Sequence, residues 1–218
     1  MAAPSGGAPS GRTGRPPLTE ERRAEIRLEI ARAAVRLFVT QGVTATTGEQ
    51  IGQAVGVSAR TVWRYFPNKE SCVRPLFSVG ITVVAACLRQ WHPGQPLEAL
   101  FERELASEES LLTGPDRAAT AALVRLTRTE PALRAVWLQT YDEAEPAFAR
   151  ALAERAGLPA DDLRPAIQAA MFNAALRAAV EHHAWRATAD GSTGPAEVQG
   201  ELTAALRSAL AVVREGLG

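Results

Sequence analysis

Apolar positions along the chain recur at three- and four-residue intervals, the spacing that gathers them on one face of an α-helix. Ile26, Ile30, Ala34, Leu37 and Phe38 form the first such stripe. Thr19 is a capping residue ahead of it, Glu20 and Glu21 suit the positive end of a helix dipole, and Gly42 can close the element. Two short helices are predicted next. Thr47 and Gln50 have capping-box spacing, Ile51 and Val55 are apolar four apart, and Gly56 ends the element. Ser58 then caps a helix reaching Tyr65, terminated by Phe66-Pro67. Asn68 is expected to cap a fourth helix running to Trp91, with a kink or irregular turn at Pro75. Breakers at His92 to Pro96, at Thr113-Gly114-Pro115 and at Ala189 to Gly194 separate further helical stretches. These begin at Leu97, run from Ala118 to Thr129, from Pro131 to Gly157 with a kink or split expected at Pro146, from Pro159 to Thr188, and from Pro195 to Gly216. Nothing alternates as a strand would and nothing repeats, so the fold is predicted all-α, with about nine helices.

Composition adds limits to this picture. The chain has 218 residues, 46% apolar and 22% charged, a globular balance. It has no run of eighteen apolar residues and no signal-peptide pattern at its start, so a cytoplasmic protein with no membrane partner is expected. Cys72 and Cys87 are too few for a disulfide framework or a zinc site and read as reduced, packed thiols. Residues 1–17 hold ten Pro, Gly or Ser together with Arg12 and Arg15, a flexible basic tail. The net charge is zero, yet residues 1–74 carry eleven Arg or Lys against six Asp or Glu, and residues 75–218 thirteen against eighteen. A basic head on an acidic body points to a polyanionic partner for the head alone. Of the 24 basic residues only Lys69 is a lysine.

The most informative stretch is TATTGEQIGQAVGVSARTVWRYFPNKE, residues 44–70. Two short helices joined by a Gly-Val turn have the form of a helix-turn-helix, with Gly56 suited to positive φ and Val57 able to plug the angle between the helices. The second helix would turn Val62 and Phe66 inward and offer Ser58, Arg60, Thr61, Arg64 and Tyr65 outward. Short donors, guanidinium forks and a phenol are the groups that meet base edges and phosphates in a DNA major groove. Trp63 is either a groove contact or a partly buried packing residue.

Residues Ile26 to Glu70 resemble the DNA-binding domain of the tetracycline-repressor-like (TetR) family of bacterial regulators. Thr47, Ile51, Gly56, Val57, Ser58, Thr61, Tyr65, Phe66, Lys69 and Glu70 match its pattern. The chain departs from it at Gly48, where an apolar residue is usual, at Gly52 (Ala), Trp63 (Tyr) and Cys72 (Leu). Two glycines in one short helix each cost about 0.5–1 kcal/mol relative to Ala, which predicts a soft second helix. The resemblance implies that Thr47, Ser58, Arg60, Thr61, Trp63, Arg64 and Tyr65 contact DNA. It also implies that Arg12 and Arg15 reach the minor groove as an arm, although plain linker charge is the alternative. Lys69 would touch a phosphate: a cation in the first turn of a helix opposes the dipole unless an anion arrives there. The alternative is a pair with Glu70 or Glu49.

Three units are expected: the tail 1–17, a helix-turn-helix domain 18–74, and a domain 75–218 for ligand binding and dimerisation. The resemblance implies that the last two helices of the latter build a four-helix bundle between two copies. The Ala-rich eighth helix, with Ala170, Ala174 and Ala178, permits close approach, and Leu202, Leu206, Leu210 and Val213 stripe the ninth. The alternative is that both stripes pack inward. A small-molecule pocket is also implied, with Phe77, Phe101, Leu105, Trp137, Tyr141, Met171 and Asn173 as candidate lining. No HExxH, GxSxG, phosphate loop or Cys/His cluster occurs, so neither catalysis, a metal nor a cofactor is expected. The resulting expectation is a homodimeric DNA-binding repressor released from a double-stranded operator by a small-molecule effector. The competing readings are a helical enzyme and a scaffold with a vestigial helix-turn-helix.

Overall fold

A computed structural model describes residues 19–92, 94–106, 115–159, 161–186 and 195–215, without the side chains of residues 98, 105, 106, 115, 195–199 and 213–215. Among the described residues there are nine α-helices and no strand. α1 spans Glu20–Gln41, α2 Gly48–Ala54, α3 Ala59–Tyr65, α4 Arg74–Gln90, α5 Leu97–Ala106, α6 Pro115–Leu126, α7 Pro131–Ala156, α8 Leu163–Arg186 and α9 Pro195–Glu215.

The predicted caps form. The Thr19 hydroxyl accepts from the Arg22 amide at 3.3 Å, and Thr47 and Gln50 make both halves of a capping box at the start of α2. Gly56 turns the chain between α2 and α3 at φ 71°, a conformation that costs an L side chain steric energy. The expected fourth helix starts differently. A 3-10 turn over Glu70–Val73 precedes α4, which begins only at Arg74, so Pro75 sits in a first turn where its missing N–H costs nothing. Asn68 caps this short turn instead, its Oδ1 accepting from the Ser71 amide at 2.8 Å. Pro146 neither splits nor ends α7, which runs unbroken through it to a left-handed Gly157. The proline lies on the exposed side of the helix, where the carbonyl it leaves unbonded can meet water. α8 begins at Leu163 rather than Pro159, with Asp162 Oδ1 accepting from the Arg164 amide at 2.8 Å.

Ile30, Ala34, Phe38, Ile51, Val62 and Phe66 bury the inner faces of α1, α2 and α3 as a compact head. Its core continues through Cys72, Val73 and Leu76 into the larger body, where α4 packs on α7, and α8 on α7 and α9. The segment Glu70–Gln90 is apolar enough in composition to cross a membrane, at mean hydropathy 1.8, but here it is the central helix of the body, half of it buried. Both cysteines are free and buried, and burial pushes the Cys72 thiol up to about 12. Among the described residues two ion pairs join head to body: Arg32 of α1 grips Asp116 of α6 with two bonds of 2.6 and 2.5 Å, and Arg74 meets Glu143 of α7. Inside the body the Glu181 carboxylate accepts from Trp137 Nε1 at 2.7 Å and Arg134 at 2.5 Å.

Candidate nucleic-acid interface and cavity

α3 is held by its ends and its inner face. Ser58 accepts from the Thr61 amide at 3.2 Å, Val62 is fully buried, and Phe66 follows it into the core. What remains outward is Ser58, Arg60, Trp63 and Arg64, all exposed, with Thr61 and Tyr65 half-buried at the flanks. Tyr65 is bracketed by two guanidinium groups, Arg64 at 5.1 Å and Arg27 of α1 at 5.8 Å from its ring centre. Arg27, which the sequence analysis did not single out, thus joins the basic face of the head. Thr47 is exposed at the start of α2, on the entry to the same unit. Arg12 and Arg15 lie outside the described residues.

Trp63 and Gly48 form one feature. A Cβ built on Gly48 would lie 1.9 Å from Cζ2 of the Trp63 indole, so the ring occupies the space a side chain there would need. Gly52 is similarly filled by backbone, with Val57 O at 2.6 Å from such a Cβ. The soft second helix expected from two glycines is therefore corrected: both are sites of close approach, where α3 and its turn lie directly on α2.

Lys69, expected to touch a phosphate, here turns its ammonium to the protein's own backbone. Its Nζ donates to three backbone carbonyls, Val43 at 2.6 Å, Thr46 at 3.0 Å and Thr44 at 3.2 Å. An ammonium has three protons, and all three are directed into the loop between α1 and α2. Nor does it oppose an α-helix dipole, because a 3-10 turn follows it. Neither Glu70 nor Glu49 is its partner in the ion pairs formed.

A cavity of about 590 Å³ opens among α4, α5, α6, α7, α8 and α9. Phe77, Phe101, Trp137 and Tyr141 line it, with Phe77 and Trp137 packed edge to face at 4.8 Å. Met171 and Asn173 do not. Met171 is 38% exposed on the outer side of α8, and Asn173 is buried elsewhere, its amide donating to Tyr141 O at 3.0 Å. The Leu105 side chain lies outside the described residues. Arg117, Glu104 and His183 are cavity residues that the pattern did not single out, and Leu202 and Leu206, expected as part of a dimer stripe, line it as well. Burial lowers the His183 pKa, keeping the imidazole neutral despite Glu201 at 3.8 Å. Burial raises the Tyr141 phenol far above its ordinary range.

The stripe on α9 faces inward. Leu206 is buried, Leu202 and Leu210 pack against the core, and the Val213 side chain is outside the described residues. Leu206 thus holds α9 on its own body, with Leu202 and Leu210 half-buried beside it. α8 keeps an outward face. Leu163 is 70%, Ile167 48% and Met171 38% exposed, and Ala174 and Ala178 continue the same line at helical spacing. Ala170 is half-buried beside it.

Comparison with known proteins agrees with this architecture. The family profile described as bacterial regulatory proteins, tetR family, matches residues 30–76, and one described as the MftR C-terminal domain matches residues 112–218. The HTH-type transcriptional regulator TcmR of Streptomyces glaucescens is 34% identical over 181 residues, covering 80% of this chain and 79% of the relative. The regulator AcrR of Shigella flexneri is 25% identical over 154 residues, covering 66% and 71%. A solved structure from Mesorhizobium loti, assigned to the TetR regulators, shares the fold at TM-score 0.51 and 18% identity, covering 89% of this chain and 98% of its own.

Proposed function

Since the chain belongs to the TetR family of bacterial regulators, and is thus a DNA-binding transcriptional regulator rather than an enzyme, we propose that its α3 face reads a double-stranded operator and that the body's cavity takes the effector releasing it. The observation that carries the reading is the division of α3: Val62 locked in the core, Arg60, Trp63 and Arg64 free on the opposite side. Arg60 is suited to fork onto a guanine, Arg64 and Arg27 to phosphates on either flank, and Ser58 and Thr47 to the backbone beside the helix starts. Arg12 and Arg15 extend this set as a basic arm, and the boundary between reading head and regulatory body falls at about residue 74. A protein of this kind works in the cytoplasm.

A palindromic operator calls for two copies. The exposed apolar line Leu163, Ile167, Met171, Ala174 and Ala178 on α8, with Val212 of α9 62% exposed, is the surface best suited to a second copy. Small residues along it let two helices approach closely. The two reading helices would then lie about 34–36 Å apart, one DNA turn.

Coupling follows from the walls of the cavity. α4 lines it with Leu76, Phe77 and Ile81 and continues directly from the head, while α6 lines it with Arg117 and holds α1 through Asp116 and Arg32. A ligand that favours a wider cavity displaces both helices and with them the head, shifting the population away from the DNA-competent spacing. Gel shifts on DNA upstream of the coding sequence test the reading, with sedimentation of the free protein alongside. Selective retardation by a protein dimeric at micromolar concentration is expected; a monomer that retards all DNA equally would overturn it.

A further inference from the structure

The cavity's apolar walls say little about which small molecule enters, but its charges do. Among the described residues, four charged or acid–base side chains line it beside the Tyr141 phenol: Glu104, Asp116, Arg117 and His183. Asp116 is spent, both its oxygens engaged by Arg32 of α1. Arg117, the next residue, differs: its Nη2 is buried with no hydrogen-bond partner. A guanidinium does not escape this cost by losing its proton, so the free protein holds a half-buried cation with one buried, unmet donor. Burial shifts its pKa downward, with no carboxylate among the described residues acting against that. Burial is what chiefly lowers the His183 pKa, and Arg117 adds to that lowering, so the imidazole on the same wall favours its neutral form. Glu104 is part-exposed and keeps access to water.

We infer that the effector is a monoanionic amphiphile, a mostly apolar small molecule whose single carboxylate seats on Arg117. The inference rests on the cavity being the effector site. A planar carboxylate presents two acceptor oxygens to the guanidinium plane and meets the donor that the protein leaves open. The one cation that the described residues place in the wall matches one negative charge; a dianionic phosphate would bring a second charge and more acceptors than the apolar surroundings supply with donors. Phe77, Phe101 and Trp137 then enclose the rest of the molecule. Because Arg117 follows Asp116 directly, the anion arrives one residue from the pair that ties α6 to the DNA-reading head.

Calorimetric titration of the full-length protein with decanoate and decanol tests this, flexible chains of equal length being chosen so that cavity shape does not decide the result. Wild type should bind decanoate about tenfold to a hundredfold more tightly than decanol, the range for a hydrogen bond to a charged group. Arg117→Met should abolish that preference while still binding decanol, and its ligand-free melting temperature should stay level or rise, since an unmet buried donor has gone. Equal binding of the two by wild type, an unchanged preference in the variant, or a variant that melts several degrees lower would each overturn the inference and leave the cavity reading standing. Failure of both ligands to bind wild type would remove that reading, and the inference with it.

Discussion

Gly48 and Trp63 make a test in which the sign of one substitution depends on its neighbour. In an ordinary exposed helix Gly→Ala stabilises by about 0.5–1 kcal/mol. Here the added methyl would lie 1.9 Å from Cζ2 of Trp63 and 2.6 Å from Cε2, about half and about two-thirds of the ordinary carbon contact distance. The indole must move, and being 41% exposed it can swing outward rather than break the core. Forcing a side chain out of a filled space costs about 1–3 kcal/mol, so Gly48→Ala should be net destabilising by about 0–2.5 kcal/mol. With Trp63→Ala already in place the same substitution meets no ring and should stabilise by about 0.5–1 kcal/mol. The coupling between the two sites is then about 1–3 kcal/mol, well above the 0.3–0.5 kcal/mol scatter of independent positions. Urea unfolding of the four full-length proteins at one fixed concentration measures it, fixed because association of copies would otherwise shift the midpoints. Additive effects, or a Gly48→Ala that stabilises with Trp63 present, would refute the reasoning. A companion readout is DNA affinity, which should fall in Gly48→Ala because the displaced ring belongs to the reading face.

Other outcomes follow from single contacts. Lys69→Met leaves three carbonyls of the loop between α1 and α2 without their donor, so it should cost about 1–3 kcal/mol and lower the melting temperature by about 3–9 °C, with the salt dependence of DNA binding nearly unchanged; a variant of normal stability whose salt slope falls by about one per half-site would show a phosphate contact instead. His183 is held neutral by burial, its folded pKa lying below the unfolded value of 6.5. As pH falls below about 6.5 the unfolded chain takes up a proton that the folded protein resists, so stability declines on the acid side and the penalty is absent above it. His183→Gln should flatten that part of a melting-temperature profile between about pH 6.5 and 5; an unchanged slope would exclude His183 as its source.

The helices and the reading head were legible because their signals are local. Caps such as Thr19, Thr47 and Ser58 and stripes such as Ile30, Ala34 and Phe38 carry their information within a few residues. What was not legible depends on partners far along the chain. Lys69 finds its acceptors 23 to 26 residues earlier, and Arg32 finds Asp116 84 residues later. The same distance effect hid the cavity's charged groups, since nothing near Arg117 in sequence says that it will face apolar walls. Glycines at 48 and 52 read as weakness by propensity and turn out to be clearance for Trp63 and the Val57 carbonyl. An apolar stripe states that a face is covered but not by what: the leucines of α9 are covered by their own chain, and the outward line on α8 passes through Met171, which composition alone could assign equally to a pocket.

The central claim is that the outward side chains of α3 select DNA sequence, and Arg60 is the sharpest place to test it. Fluorescence anisotropy at one salt concentration should compare wild type and Arg60→Ala on the upstream operator and on a scrambled duplex of equal length. The account predicts that wild type discriminates between them and that Arg60→Ala loses about 1–3 kcal/mol of that discrimination while its affinity for scrambled DNA changes little. A variant that weakens equally on both duplexes, or that discriminates as well as wild type, would contradict it.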